Sequence, residues 1–483
     1  MSPPPSDALI AILAIPLASA ALLAILPRYK LTARLNVLAS LLTLLAALSL
    51  LLGDRPEPGN TLFIDDLSTV FVVLGSLVGF TTSLFSASYI GHELEIGRLT
   101  PTYLRFYHAM YQILMFAMNL ALVSNNVGLM WVAVEIATLT TVVMVGIYRT
   151  HEAIEAAWKY FILGSVGIAL ALFGTILVYM AALPVIGEGV DAMVWTVLAQ
   201  HVQDFDPALL DLAFVFLLLG YGTKVGLVPL HAWLPDAHAE GPTPISAVLS
   251  GLLLNVAFYA VLRYKLLLAA NPLVLAPGPL MITMGLGSLL FGAFMLYKRR
   301  DIKRMFAYSS IEHMGIIAFA FGVGGPLANF AGLLHMSLHS LTKSAIFFAV
   351  GHISQAKRTQ KIAEIGGLTE SHPLLGWGLV LGVAAIGGLP PLGLFMSEFL
   401  LVSSTFARAP LLAIPLVFGL LIAFGALMLQ LSGLAFGAPH GPSEPAHASY
   451  LPLFAHLALV LVAGFYLPPP LVAWFQHVAS VLA

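Results

Sequence analysis

The sequence predicts an all-α membrane protein, a polytopic bundle of about 14 transmembrane helices. Three observations predict this class: 59% of the 483 residues are hydrophobic, only 9% are charged, and apolar runs of about twenty residues recur along the whole chain. A soluble protein has roughly 25% charged residues and could not enclose so much apolar surface in one core. Because the bilayer core offers no water to the backbone, each run is expected to be a helix.

The predicted helices are separated by polar turns and by turns that contain proline or glycine. No positively charged segment precedes the first run, so we interpret it as a retained helix and not as a signal peptide. The longest polar stretches, 183–207 and 437–449, are too short for a soluble domain, which predicts a single membrane domain, 1–483. The predicted helices are 7–27, 32–52, 64–90, 103–124, 127–148, 155–182, 208–229, 243–266, 273–297, 304–324, 328–354, 373–404, 410–436 and 450–467.

Lysine and arginine residues fall mainly on one side of these helices. Of the 21 Lys and Arg residues, fifteen lie in loops after odd-numbered helices and two lie inside helices. Loops rich in these residues stay in the cytoplasm, so the odd-numbered loops are expected there and both termini on the outer face. The four in loops after even-numbered helices are Arg55, Arg263, Lys265 and Arg408.

The formal net charge of −2 and the absence of cysteine exclude several classes of function. A chain without cysteine has no disulfide, no thiolate ligand for an iron–sulfur cluster and no cysteine nucleophile. The small negative charge does not suggest binding to nucleic acid. We therefore predict no cofactor in this chain and expect any redox centre to lie in a partner.

The candidate functional residues of the first half are two ionisable side chains at membrane depth. A charge at the bilayer centre costs at least about 2.5–3.5 kcal/mol, so such residues are expected to face the bundle interior and to mark an ion path. Glu135 lies in WVAVEIATLTTVVMVG; its alternative role is a neutral acid hydrogen-bonded to a neighbouring helix. Lys224 precedes a break at Gly226 and Pro229. Burial favours its neutral amine and a carboxylate favours its ammonium, which suits a switchable proton carrier; the alternative is a lysine that extends to the interface.

A stripe of polar residues in LLHMSLHSLTKSAIFF is the main candidate of the second half. His335, His339 and Lys343 have the spacing i, i+4, i+8, which places them on one face of a helix. Imidazoles give and take protons near neutral pH, so the stripe is interpreted as a proton relay. HxxxH is also a metal spacing, but Met336 stands where a zinc protease has glutamate, and we predict no metal site or haem.

Three further acids and bases lie near this stripe. In AYSSIEHMGIIAF, His313 is either part of the relay or a structural histidine, and Glu312 is expected nearer the cytoplasmic end and partly hydrated. Glu398 follows a second break, in GGLPPLGLFMSEF, and its alternative is a structural carboxylate. Secondary candidates for the same path are Lys159, His231, Asp236, Asn255 and Glu312.

The two broken segments, near 220–242 and 387–393, occupy corresponding positions in the two halves. Such a pair indicates an inverted-repeat transporter with its site near mid-membrane. The mechanism we infer is a path of alternating acid and base sites linked by water, in which a cation at one site changes the proton affinity of the next. The predicted parts are two inverted five-helix repeats, about 103–266 and about 273–436, with flanking helices in 1–90 and 450–483.

In these motifs the sequence resembles the antiporter-like membrane subunits of complex I (subunits L, M and N), of Mrp-type sodium/proton antiporters and of membrane-bound hydrogenases. The resemblance runs from about Phe63 to Gly437. It rests on WVAVE, on Lys224 with PLHAWLPDAHAEGPTPISA, and on RRDIKRMFAYSSIEHMG, LLHMSLHSLTKSAIFF and GLPPLGLFMSEF.

The resemblance implies roles for individual residues. Glu135 and Lys224 match a glutamate and a lysine that are thought to switch together. Lys343 matches the central lysine of the second half, and Glu398 matches the terminal site, where a glutamate is similar to subunit M. The positions at which the family often has histidine are His313, His335 and His339.

The eighth predicted helix departs from the family pattern. Many members have a lysine or histidine there, whereas SAVLSGLLLNVAFYAVLR offers only Ser250 and Asn255 as inward polar residues. Neither side chain titrates, so the connection between the halves is expected to run through water or to be absent. The long lateral helix of subunit L is also missing.

Two segments, AYSSIEHMG and HEAIEAAWKYFILGSVGIALALFGT, resemble the F subunit of hydrogenase-4-type complexes. This resemblance implies a proton-translocating, non-redox subunit of a hydrogenase-type or NADH:quinone oxidoreductase-like complex in a bacterial or archaeal cytoplasmic membrane. The implied partners are other membrane subunits and a soluble module with nickel–iron and iron–sulfur centres. Three alternatives stay open: a sodium/proton antiporter subunit, a membrane subunit of an inorganic carbon uptake complex, and a passive membrane anchor.

Overall fold

The computed structural model describes residues 6–53, 55–446 and 449–483, and the regular elements in these ranges are helices. The helices are α1 (Asp7–Ile25), α2 (Tyr29–Ser49), α3 (Asp66–Glu95), α4 (Pro101–Val123), α5 (Val127–Val145), α6 (His151–Ile186), α7 (Trp195–His201), α8 (Pro207–Val225), α9 (Trp233–Glu240), α10 (Thr243–Ala269), α11 (Gly278–Leu296), α12 (Ile302–Val323), α13 (Pro326–Lys357), α14 (Leu368–Ser371), α15 (Pro373–Ile386), α16 (Gly393–Arg408), α17 (Pro410–Ala435), α18 (Tyr450–Phe465) and α19 (Pro469–Val481).

The predicted class, a helical membrane bundle, is confirmed. In the described ranges twelve helices are long and apolar enough to cross a membrane, and the pair α18–α19, bent by 82°, makes up to a thirteenth. The remaining apolar segment is α15, which continues as α16 after a break. It corresponds to the predicted helix 373–404. The division of the chain into two inverted repeats stays a prediction.

Polar caps explain where many of the helices begin. A side-chain oxygen at the N-cap accepts a hydrogen bond from a backbone N–H of the first turn, which would otherwise have no partner. This arrangement starts α1, α3, α5, α6, α8 and α12, with the caps Ser6, Asp65, Asn126, Thr150, Asp206 and Asp301.

Both predicted breaks are present and lie beside candidate residues. Helix α8 ends one residue after Lys224, and the chain turns before α9 begins at Trp233. The indole Nε1 of Trp233 donates to the carbonyl of Thr223 at 2.7 Å, which gives a partner to an oxygen at the helix end. The second break separates α15 from α16. Backbone outside a helix is tolerated at membrane depth where it is buried in protein.

Helix α10 forms the centre of the bundle, and its most apolar stretch is completely buried. Its first part contains one π-helical turn, Leu249–Leu253. Turns of π-helix are rare in proteins, and those that occur are often found at functional sites. Helix α13 lies against α10 and is also almost entirely buried. These two helices therefore form the interior of the bundle, away from lipid.

The placement of Arg263 and Lys265 in a loop was wrong. Helix α10 extends to Ala269, and both side chains are buried within it. Arg263 forms a two-point ion pair with Asp65, with N–O distances of 2.7 Å, and Lys265 donates to the carbonyl of Leu482 at 3.0 Å. These partners come from distant parts of the chain, so the sequence pattern around the two cations did not reveal them.

Several basic residues assigned to the opposite loops also lie inside helices, among them Lys303 and Lys159. Lys303 is on the first turn of α12 and is buried, because its ammonium group donates to backbone carbonyls of the α9–α10 turn. Lys159 lies within α6, which starts four residues earlier than predicted, and its side chain is half exposed.

Candidate functional site

The first cluster consists of Glu135, Thr138 and Lys224. The Lys224 Nζ atom lies 3.4 Å from Glu135 Oε2 and donates to Thr138 Oγ1 at 2.8 Å. The Lys224 side chain is 1% exposed and the Glu135 side chain 19%, so the lysine is enclosed while its counter-ion reaches the edge of the bundle. Glu135 and Lys224, which the resemblance pairs, are thus in contact, and their role in proton transfer stays a prediction.

Local sequence explains how these groups meet. Thr138 follows Glu135 by three residues, which places both on one face of α5. Lys224 is in the last turn of α8, where the free carbonyl groups of a helix end favour a positive charge. On α6, Gly164 leaves space for the ammonium group, because a Cβ atom there would lie 3.0 Å from Lys224 Nζ.

Two secondary candidates, Lys159 and Asp236, lie together in an ion-pair network at the end of α9. The Lys159 Nζ atom is 3.1 Å from Asp236 Oδ2 and 2.7 Å from Glu155, and Arg304 is 3.3 Å from Asp236. These groups are partly exposed, so their pairs contribute little to stability. The third candidate of this region, His231, packs edge-on against the ring of Phe291.

The second cluster consists of Glu312, His313, His335, His339, Lys343 and Glu398. His313 Nδ1 and His335 Nε2 lie 2.9 Å apart, at hydrogen-bond distance. His335 Nδ1 is 3.0 Å from Ser397 Oγ, and Ser397 precedes Glu398 on α16. His313 Nε2 is 3.2 Å from Glu312 Oε2. These residues thus form a chain of contacts between α12, α13 and α16, and its role as a proton relay stays a prediction.

The remaining stripe residues continue this chain along α13. The His339 ring centroid is 5.4 Å from that of His313, and within the described residues neither His339 ring nitrogen has a hydrogen-bond partner. Lys343 donates to the carbonyl of Phe306 at 2.8 Å and is fully buried. His335, His339 and Lys343 thus share one helix face, as the spacing predicts.

Of the two acids of the second cluster, Glu312 and Glu398, Glu312 is more buried than expected. Glu312 is 1% exposed, so the expectation of a partly hydrated residue near the cytoplasmic end was wrong. The physical reason is close packing of α11 on α12: a Cβ atom on Gly292 would lie 2.8 Å from Glu312 Cβ. Glu398 is partly buried against Gly388, which has φ +68° and has no Cβ to displace the carboxylate.

Between the clusters, α10 provides hydrogen-bonding groups that do not titrate. Asn255 Nδ2 donates to Ser340 Oγ at 2.7 Å, and Ser250 Oγ lies 2.7 Å from Ser310 Oγ. The Oδ1 atom of Asn255 is buried and has no partner among the described residues. The secondary candidate Asn255 therefore lies at the junction of α10 and α13, next to the residue that follows His339.

Sequence reasoning missed two buried basic residues close to the second cluster. His238 on α9 stacks on the ring of Phe347, with centroids 4.9 Å apart, and Lys303 donates to Ala239 and Gly241 carbonyls. His238 belongs to the motif PLHAWLPDAHAEGPTPISA, and a histidine just after a helix break was a usable signal. Lys303 follows Lys298, Arg299 and Arg300, so it had no feature to separate it from loop cations.

One part of the second cluster has donor atoms of the type that bind zinc. His313, His335 and Glu398 each offer a ligand atom, and these atoms lie within 4.8 Å of one another. Two of the donors already face each other at hydrogen-bond distance, as a proton relay requires. The prediction that this chain holds no metal and no cofactor stays a prediction.

A membrane bundle with buried lysines, histidines and glutamates beside broken helices defines the class of antiporter-like membrane subunits. The chain belongs to this family: residues 124–423 match the family described as NADH:quinone oxidoreductase/Mrp antiporter, TM. The resemblance inferred from the motifs is therefore confirmed.

One relative and two solved structures show the extent of the likeness. The hydrogenase-4 component F homolog of Methylacidiphilum infernorum (isolate V4) is 63% identical over 472 residues, which cover 98% of this chain and 99% of that protein. A chain of the membrane-bound sulfane sulfur reductase, an archaeal respiratory membrane complex, has a TM-score of 0.88 with 23% identity over 99% of this chain and 98% of its own. A chain of the Mrp complex from Dietzia sp. DQ12-45-1b has a TM-score of 0.83 with 19% identity over 98% and 96%. At these identities the two structures establish the shared fold.

Proposed function

We propose that this chain is a proton-translocating membrane subunit of a hydrogenase-4-type oxidoreductase complex. The observation that carries the proposal is the enclosed contact of Lys224 with Glu135 and Thr138. A buried ammonium whose counter-ion is on another helix changes its proton affinity when that counter-ion moves or takes up a proton. The relative named hydrogenase-4 component F homolog, 63% identical over nearly the whole chain, supports the type of complex.

In the proposed mechanism the first cluster is a switch and the second is a relay. Separation of Glu135 from Lys224 removes the charge that favours the ammonium, and Lys224 gives up its proton to water. In the second cluster a proton arriving at Lys343 passes through the imidazoles of His339, His313 and His335. Each imidazole accepts a proton on one nitrogen and releases one from the other. The last acceptor is the carboxylate of Glu398.

The proposed link between switch and relay is made of polar groups on α10. Asn255 and Ser340 orient water between the clusters, because amide and hydroxyl groups both donate and accept hydrogen bonds. Without a titratable side chain on α10, any proton that crosses this region does so on water molecules.

The position in the membrane and the partners are also part of this proposal. The loops rich in Lys and Arg are placed in the cytoplasm and both termini on the outer face of a bacterial or archaeal cytoplasmic membrane. Other membrane subunits lie beside this chain, and a soluble nickel–iron and iron–sulfur module performs the electron transfer. This assignment of the redox centres to partners is supported by the absence of cysteine from the sequence.

Proton flux into liposomes tests the switch. The complex containing this chain is purified, reconstituted with its redox substrates, and assayed with a lumenal pH dye. We expect Lys224→Met to lower proton flux by about tenfold or more at unchanged electron transfer rate per assembled complex. Lys265→Met, which removes a buried lysine outside both clusters, is the control. Unchanged flux in Lys224→Met would contradict the proposed switch.

Mass spectrometry of the chain purified in mild detergent tests the partners. Nickel–iron hydrogenase and iron–sulfur subunits in the same complex are the expected result. A soluble zinc protein as the only partner would replace this assignment by inorganic carbon uptake. Mrp-type membrane subunits alone, with flux that depends on sodium, would replace it by antiport.

A further inference from the structure

Three buried groups that can hold a proton lie in the same region: His238, Lys303 and Lys343. The Lys343 ammonium donates to the carbonyl of Phe306, and Phe306 follows Lys303 by three residues on α12. The Lys303 ammonium donates to the carbonyl of Ala239 at 2.9 Å, next to His238. The ring of His238 in turn stacks on Phe347, one turn after Lys343 on α13. His238 is therefore adjacent in sequence to a residue that binds Lys303 and stacks on a residue one turn from Lys343.

The unpartnered ring of His238, together with its position near two buried lysines, points to a function beyond packing. It is completely buried, and within the described residues neither ring nitrogen has a hydrogen-bond partner. A histidine that is purely structural normally has at least one nitrogen bonded to a fixed partner. An imidazole with two free nitrogens between two amines is suited to accept a proton on one side and release one on the other.

A polar crevice lies at the Lys- and Arg-rich face of the bundle. It has a volume of about 560 Å³ and lies between the last turns of α3 and α13, and its lining residues include Tyr89, His92, Glu93, Arg98 and Gln355. Three other large cavities in the described part of the chain are lined mainly by apolar side chains, whereas most residues lining this crevice are polar and suited to water.

Glu93 is the buried acid at the bottom of the crevice. Its side chain is 1% exposed and accepts hydrogen bonds from Gln355 at 2.8 Å and Arg98 at 3.2 Å. One turn earlier on α3, the Tyr89 hydroxyl lies 3.3 Å from Thr243 Oγ1. Thr243 is two residues after Gly241, whose carbonyl accepts a hydrogen bond from Lys303 at 2.6 Å. The contact of Tyr89 with Thr243 thus places the crevice beside the turn whose carbonyls bind Lys303.

We infer that this crevice is the proton uptake route of the second cluster and that His238 is the transfer residue between Lys303 and Lys343. A proton from crevice water passes to the Glu93 carboxylate and then to the neutral amine of Lys303. The Lys303 ammonium gives a proton to one ring nitrogen of His238, and the proton on the other nitrogen passes to the Lys343 amine. The inference rests on the proposed function, because it assumes that Lys343 begins the relay.

The consequence is a separate supply for each cluster. The first cluster lies on α5 and α8, whereas the crevice leads through α3, α9 and α12 to α13. With this route the second cluster does not depend on protons crossing α10, the helix that has no titratable residue at its centre.

Passive proton conduction tests the route without a redox substrate. The purified complex is reconstituted into liposomes, a potassium diffusion potential is imposed with valinomycin, and lumenal pH is followed. We expect His238→Gln to lower conduction by about tenfold, as much as Lys343→Met does. His108→Gln is the matched control, because His108 is also fully buried with two unpartnered ring nitrogens but lies on α4.

A thiol introduced into the cysteine-free chain tests the crevice without changing a buried group. Thr359 lines the crevice and is partly exposed, and Ala438 is exposed on the loop after α17. A membrane-impermeant, positively charged thiosulfonate reagent added to the Lys- and Arg-rich face is expected to stop conduction in Thr359→Cys and not in Ala438→Cys. Modification of Thr359→Cys without loss of conduction would place proton uptake elsewhere.

The outcomes distinguish a failure of the uptake route from a failure of the proposed function. If Lys343→Met stops conduction while His238→Gln and labelled Thr359→Cys conduct normally, the uptake route is overturned and the proposed function stands. If Lys343→Met itself conducts normally, the relay is wrong and the uptake route falls with it.

Discussion

His313 Nδ1 and His335 Nε2 lie 2.9 Å apart, although the two residues are on different helices and 22 positions apart in sequence. Both side chains are buried, and His335 also contacts Ser397 on a third helix. This contact converts two isolated histidines into a connected pair. It is the geometric basis for the first of five predictions.

We expect His335→Asn to interrupt proton transfer in the second cluster. Asparagine keeps a hydrogen-bonding side chain but cannot accept a proton, so flux should fall by about tenfold or more while the complex still assembles. Flux in liposomes, normalised to the amount of assembled complex, is the measurement. Asn329→Ala is the control, since Asn329 is buried on the same helix but its amide binds the Ala479 carbonyl. Equal flux in both variants would remove His335 from the path.

We expect Thr138→Val to weaken the switch less than Glu135→Gln does. The threonine hydroxyl accepts a hydrogen bond from Lys224, whereas Glu135 provides the compensating charge, and loss of a charge partner is more costly than loss of a neutral one. The double variant should show less than the sum of the two losses, because both act through Lys224. Additive losses in a double-mutant cycle of proton flux would contradict a shared role.

We expect Gly388→Ala to displace the Glu398 carboxylate. A Cβ atom at this position would overlap Glu398 Oε2, and the positive φ angle adds more than about 1 kcal/mol of backbone cost. Proton flux should fall while the chain remains in the membrane. Gly433→Ala is the control, because nothing lies within 4 Å of a Cβ atom there. Normal flux in Gly388→Ala would show that the position of Glu398 is unimportant.

We expect Asp65→Asn to lower the free energy of unfolding by about 3 kcal/mol, because it leaves the Arg263 guanidinium buried without a charge partner. Asp66→Asn is the control: Asp66 pairs with Arg55 at the surface, and such pairs contribute about 0–1 kcal/mol. Thermal unfolding of the detergent-solubilised protein is the measurement. Similar losses of unfolding free energy in Asp65→Asn and Asp66→Asn would contradict a larger contribution from the buried pair.

The Asp65–Arg263 pair also predicts that the stability of the fold depends on pH. Burial opposes ionisation of Asp65, but the adjacent Arg263 outweighs it and lowers the pKa of Asp65 below its ordinary value. The stabilisation is therefore complete above the ordinary pKa of about 3.9 and is lost as the pH falls through the lower pKa of the folded state. The stability difference between the parent chain and Asp65→Asn should shrink only in this acid range.

Much of the fold and part of the site follow directly from the sequence. Long apolar runs have one stable form in lipid, so the helices and their approximate ends were predictable. The stripe of His335, His339 and Lys343 was predictable because helical spacing alone places the three on one face. Glu135 and Lys224 were recognisable because an ionisable residue inside an apolar run has few explanations.

Only the tertiary structure decided which groups face one another. Lys303 looked like one more cation of a basic loop until its ammonium group was found on the carbonyls of Ala239 and Gly241. Glu93 and Gln355 come together from two helices, and no local pattern records such a meeting. The physical reason is that hydrophobicity and helical period are properties of neighbours along the chain, whereas hydrogen bonds between buried polar groups depend on how distant helices pack.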